Sequence, residues 1–100
     1  MRLKQGVKVT GVKPEVLIAM MVTQEVCREC GYEFVVTSVR EGQHMAKSKH
    51  YSGEAFDMRT HHMAPAQIPV IRDLIAKRLG PDYDVVVEAT HLHIEHDPKG

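Results

Sequence analysis

Ser48-Lys49-His50-Tyr51-Ser52-Gly53-Glu54-Ala55-Phe56-Asp57 sets a histidine and a carboxylate seven residues apart, with a glycine and an alanine between them. Imidazole and carboxylate are zinc-type ligands, and each must bring a donor atom to about 2.0–2.2 Å from the ion. Regular structure does not allow this at that spacing. A fully extended chain would part the two Cα atoms by roughly 23 Å, and a helix by about 10 Å. If both side chains bind one metal, the chain must fold back between them. Ser52-Gly53 is the natural place, because glycine reaches backbone angles that other residues avoid. Beyond it, Glu54-Ala55-Phe56-Asp57-Met58 alternates like a half-buried strand, with Gly53, Ala55 and Asp57 on one face. The competing reading is a surface loop that runs into a strand and shares no ligand.

Working outward, Tyr32 to Val39 is rich in β-branched and aromatic residues and reads as a strand. A polar segment, Arg40 to Lys49, joins it to the opening motif. Upstream, Pro14 and Glu15 suit the first turn of a helix. Val16, Ala19, Met20, Thr23, Val26, Cys27 and Cys30 fall on one helical face, and Gly31 ends it. Residues 1–12 read as an extended arm in which Val7, Val9 and Val12 alternate with polar residues. Downstream, Arg59-Thr60-His61-His62 is a connection. Pro65 and Pro69 bracket the start of a second helix, with Ile68, Ile71, Leu74, Ile75 and Leu79 on its buried face and Gly80-Pro81 as its stop. Tyr83 to Val87 and His91 to Glu95 are two further strands. The fold class is α+β: a small, mostly antiparallel sheet with two helices, in a single domain spanning 1–100.

Composition narrows the function. The chain has 100 residues, and Lys+Arg and Asp+Glu are both 13, so the net charge is zero. Nucleic acid is not the expected partner, because phosphate binding leaves a basic footprint. The apolar run Val16 to Val22 is bracketed by Glu15 and Glu25, too short to span a bilayer and badly flanked for a signal peptide. The expectation is a monomeric, cytoplasmic protein as synthesised, with no membrane partner. Cys27 and Cys30 form a lone C-x-x-C and read as buried or half-buried free thiols. Seven histidines are many for this length, and all lie after position 43.

Two of them belong to a second constellation, Glu88-Ala89-Thr90-His91-Leu92-His93-Ile94-Glu95. With Leu92 and Ile94 facing the core, His91, His93 and Glu95 share the opposite face. Glu88 has the wrong parity for that face if the strand is continuous, and a bulge or kink at Ala89-Thr90 would correct it. His44, His61, His62 and His96 read as solvated residues or local hydrogen-bonders.

Together the two stretches resemble the zinc D-Ala-D-Ala carboxypeptidase and L-alanoyl-D-glutamate peptidase superfamily. It includes D-alanyl-D-alanine dipeptidases and phage endolysin domains, and the hedgehog signalling domain shares its fold. The family pattern S-x-H-x-x-G-x-A-x-D is matched by Ser48, His50, Gly53, Ala55 and Asp57, and its later glutamate–histidine element by Glu88 with His91-Leu92-His93. The resemblance implies a hedgehog/peptidase-like zinc domain with Zn2+ as cofactor and His50 and Asp57 as ligands. Relatives with Glu-x-x-His point to His91 as the third ligand, and relatives with His-x-His to His93. His93 is favoured, with His91 beside the attacking water or the oxyanion. Glu88 resembles the catalytic base, and Arg40 sits where relatives carry a substrate-binding or transition-state arginine, although its spacing departs from the common Ser-Gly-Tyr-Arg form. The implied function is hydrolysis of short peptides, above all peptidoglycan stem peptides with D-residues, by a metal-activated water with a glutamate general base. A phage-encoded copy would be released to the cell wall. Two alternatives stand beside it: a zinc-binding module without turnover, and a metal-free structural or virion protein.

Overall fold

Helix α1 (Pro14–Cys30) forms because its apolar positions recur on one face and both of its ends are marked. Pro14 opens it, and Glu15 lies in the first turn at the positive end of the dipole. Val16, Ala19, Met20, Thr23, Val26 and Cys27 are buried, as the periodicity implies. Thr23 would be a polar cost in the core, but its hydroxyl donates to the Ala19 carbonyl at 2.7 Å. At the far end Gly31 takes the left-handed conformation, φ 83°. The Gly31 and Tyr32 N–H groups then return to the Arg28 and Cys27 carbonyls. This cap uses Tyr32, so the strand expected from that residue begins at Val35 instead.

The computed structural model describes residues 1–9, 11–40 and 55–98. Among them five strands form one mixed sheet: β1 (Arg2–Leu3), β2 (Val35–Arg40), β3 (Ala55–Arg59), β4 (Tyr83–Val87) and β5 (His91–His96). Their spatial order is β1-β2-β3-β5-β4. Only β1 and β2 run parallel, and the other three pairings are antiparallel. The N-terminal arm departs from the expected alternation. Its strand is Arg2–Leu3, while Val7 and Val12 pack irregularly against the core and Val9 is exposed.

Helix α2 (Ile68–Leu79) follows a 3-10 turn over Pro65–Gln67, with Pro69 in its first turn. Ile71 and Ile75 are fully buried, and Ile68, Leu74 and Leu79 pack at the margin. Gly80, φ 87°, closes the helix through its N–H to the Ala76 carbonyl. Both helices cover the same face of the sheet. That face presents Val36, Phe56, Met58, Val85, Leu92 and Ile94, every second residue of their strands. Burying each of the larger side chains contributes about 1.5–3 kcal/mol. Among the described residues no helix covers the opposite face, although Val35 and Ala55 on it are buried.

Strands β4 and β5 are joined through Ala89-Thr90, and the Glu88 N–H donates to the His91 carbonyl at 2.8 Å. The bulge or kink expected there is thus a hairpin reversal. Val87 pairs with Leu92, so Glu88 and His91 form the next pair toward the turn.

Candidate functional site

The register of three strands brings the chemistry of the open face together. Asp57 on β3 lies opposite His93 on β5, and Arg59 lies opposite His91. The hairpin then sets Glu88 beside His91. Directly opposed residues of an antiparallel pair have Cβ atoms about 4.5–5.5 Å apart, so their side chains meet without further folding. A register shift between Val36 and Ser38 of β2 falls beside Asp57. Such irregularities re-aim side chains at the edge of a site.

His93 is held at both ring nitrogens. Its Nδ1 lies 2.8 Å from Asp57 Oδ1 and its Nε2 lies 3.1 Å from Glu95 Oε1. Two carboxylate acceptors favour the imidazolium, which donates from both nitrogens. The Asp57 hydrogen bond is the main cause, partial burial opposes it, and Glu95 adds to it. The result raises the His93 pKa from 6.5 to about 8. His91 differs. Its Nδ1 lies 3.1 Å from the Thr90 hydroxyl, while its Nε2 is 3.6 Å from both Asp57 Oδ2 and Glu88 Oε1. These separations are too long for hydrogen bonds, so the nitrogen sits between two carboxylates without being saturated by either. Glu88 is 48% exposed, against 17% for Asp57, so its carboxylate reaches solvent at the mouth of the site.

These donors are of the types that bind zinc. Ligand atoms about 2.0–2.2 Å from a tetrahedral ion stand about 3.3–3.6 Å apart. Asp57 Oδ2 and His91 Nε2, 3.6 Å apart, stand at the edge of that range, whereas Asp57 Oδ1 and His93 Nδ1, 2.8 Å apart, are at hydrogen-bond distance. Asp57 and either histidine would supply two ligands. The third, His50, lies outside the described residues with Ser48 and Gly53 of the same motif, and so does His44. Arg40 ends β2 in register with Ala55. Among the described residues, three metal-ligating groups approach within 4.8 Å of one another only at Asp84, Glu95 and Asp97, an acidic set at the far end of the same hairpin.

Beside Asp57 and His91 opens a cleft of about 460 Å³, within the range of small-ligand sites. Its walls include Arg2 and Lys4 from the N-terminal strand and its continuation, Val35 and Thr37 from β2, and Arg59 and His61 beyond Asp57. Arg59 is braced from behind. The His62 Nε2–H donates to the Glu33 carbonyl at 2.8 Å, which leaves Nδ1 unprotonated to accept from Arg59 Nε at 3.4 Å. His62 is thus a tie across 29 residues rather than a local surface group. His96 is not simply solvated either, since its ring packs 4.9 Å from that of Tyr83.

Sequence reasoning placed Asp57, His91, His93 and Glu95 on strand faces but gave Glu95 no part beside His93. It also passed over Arg59, which extending the two-residue period from Asp57 would have found. Cys27 is buried, with its thiol donating to Met58 Sδ at 3.4 Å, and burial pushes it up to about 12. A thiol so hard to ionise is a poor metal ligand. Cys30 is half-buried and also free. No helix among the described residues is long and apolar enough to cross a membrane.

No family model, curated protein or solved structure matches this chain.

Proposed function

We propose that this chain is a zinc-dependent peptidase that hydrolyses short peptides, with peptidoglycan stem peptides containing D-residues as the substrate class. One observation carries the reading. Asp57, His91, His93 and Glu88 meet on the open face of the sheet, beside a cleft. The match of Ser48 to Asp57 to the peptidase motif supports the choice of metal and substrate class. Zinc, when bound, would acidify a water and polarise the scissile carbonyl.

Asp57 and His93, with His50, would hold the ion. Glu95 would then keep its hydrogen bond to the far nitrogen of His93 and fix the ring, as carboxylates behind metal-bound histidines do. Glu88, exposed at the mouth of the site, would accept a proton from water as the oxygen attacks the carbonyl carbon. It would return that proton to the leaving nitrogen as the C–N bond breaks. His91 Nε2, between Asp57 and Glu88, would donate to the developing oxyanion. Arg40 is the second candidate for that charge. The chain works as a monomer on this reading.

The test is metal analysis of the purified protein, then digestion of purified peptidoglycan followed by mass spectrometry. One zinc per chain is expected, lost in His50→Ala and Asp57→Ala, together with release of D-residue fragments. Full zinc content in either variant refutes the ligand set. Zinc without cleavage of any stem peptide favours a binding module instead.

A further inference from the structure

Helix α1 carries a second apolar surface that the core does not use. Leu17, Ile18 and Met21 are 46, 54 and 71% exposed. Each precedes a buried residue of the same helix, Ala19, Met20 or Thr23, by two positions, which is about 200° around the axis. The three side chains therefore point away from the sheet, on the side of the molecule remote from Asp57 and His91. Exposed Lys13, Gln24, Glu25 and Arg28 border them. An exposed apolar cluster with a polar rim marks a contact surface.

We infer that this face binds a second copy of the chain, α1 against α1 in antiparallel orientation. Symmetry and charge decide the occupant. In a pair related by a twofold axis, residues at equal heights on either side of the axis meet. With the axis at the midpoint of Ile18 and Met21, Ile18 of each copy lies level with Met21 of the other. The midpoint of Lys13 and Glu25 falls half a residue away, about 0.75 Å along the helix. The same axis therefore sets Lys13 of each copy level with Glu25 of the other. Glu25 also holds Arg28 of its own chain at 2.6 Å, so its carboxylate would lie between two cations. A lipid surface fits this face less well. Helices that lie on membranes carry mainly cations on their polar side, whereas charges of both signs border this patch. The 17-residue helix offers a strip about 25 Å long and about 10 Å wide. That is the small end of specific interfaces, and the pair is reversible. One chain completes the site on the peptidase reading, and the pairing rests on none of its residues.

The test is sedimentation equilibrium of the purified full chain in reducing buffer, which keeps Cys30 from linking copies. Over a range of about 5 µM to 1 mM, wild type should be half dimeric at about 10–100 µM. Met21→Lys should raise that midpoint at least about tenfold, because it buries a charge in the apolar strip. Lys13→Glu and Glu25→Lys should each raise it about three- to tenfold, and the double variant Lys13→Glu/Glu25→Lys should return it to within about twofold of wild type. All four variants change exposed side chains, and their circular dichroism should match wild type. A wild type that stays monomeric throughout the range overturns the inference. So does a dimer that Met21→Lys leaves intact, or a loss in the single charge variants that the double variant does not restore. Monomers that float with phosphatidylcholine–phosphatidylglycerol vesicles, and cease to in Met21→Lys, would give the face to lipid and overturn it as well.

Discussion

The two faces of the sheet are built from alternate residues of the same strands, yet they are specified in different ways. On the covered face Phe56, Met58, Leu92 and Ile94 share one task, exclusion of water, and many neighbours share each contribution. On the open face Asp57, His93 and Glu95 act through single contacts at 2.8 and 3.1 Å. Area is additive and tolerant of exchange among apolar residues. Directed contacts are neither. The covered face therefore governs most of whether the chain folds, and on the proposed reading the open face governs what it does.

That separation can be broken experimentally, and the largest effect should come from the core. Phe56→Ala should lower unfolding free energy by about 3–5 kcal/mol, measured by denaturant titration. A loss below about 1 kcal/mol would mean that the covered face is not close-packed. Next comes Glu88→Gln, which should retain fold and zinc but lower peptide hydrolysis at least about a hundredfold. Glu95→Gln at matched zinc content is the control. Full activity in Glu88→Gln with a dead Glu95→Gln would identify Glu95 as the base.

Smaller is the effect of pH on the metal-free protein. The His93 pKa is raised to about 8 by Asp57 and Glu95. Its contribution is complete below the unfolded value near 6.5 and disappears as pH rises through about 8. It amounts to about 2 kcal/mol at most. Chemical denaturation at pH 6 and pH 9 should show that loss in wild type and not in His93→Gln. The smallest change concerns the thiols. At pH 8, alkylation of the folded protein should modify Cys30 and spare Cys27, whose burial pushes its pKa to about 12. Equal labelling of both would show that the core opens easily.

Much of this contrast was legible in the chain. The helix faces Val16–Cys27 and Ile68–Leu79 follow from spacing alone, because a helix reports its buried stripe locally. Parity likewise gave the faces of Asp57, His91 and His93. It could not give their neighbours, since pairing Asp57 with His93 joins residues 36 positions apart. The hairpin was read as a kink because Ala89-Thr90 lacks the Asn-Gly or Asp-Gly chemistry that marks two-residue turns. Strand β1 escaped notice because two residues carry no period, and their place is set by bonds from the Arg2 and Lys4 N–H groups to the distant Phe34 and Val36 carbonyls. Arg59 was missed because its value lies in the cleft it lines and in the brace from His62. Both depend on chain segments far apart in sequence.

The order of strands also bears on when the site comes into being. Glu88, His91 and His93 belong to a hairpin whose partners are close in sequence, so little loop entropy opposes its closure. Asp57 reaches His93 only after β3 docks against β5, with α2 and β4 lying between them along the chain. Contacts of such long range are the slow ones in folding. A chain halted before that docking would hold both histidines and the glutamate but lack the aspartate that pairs with His93. On the proposed reading, metal capture and activity would then wait for the docking of β3 against β5.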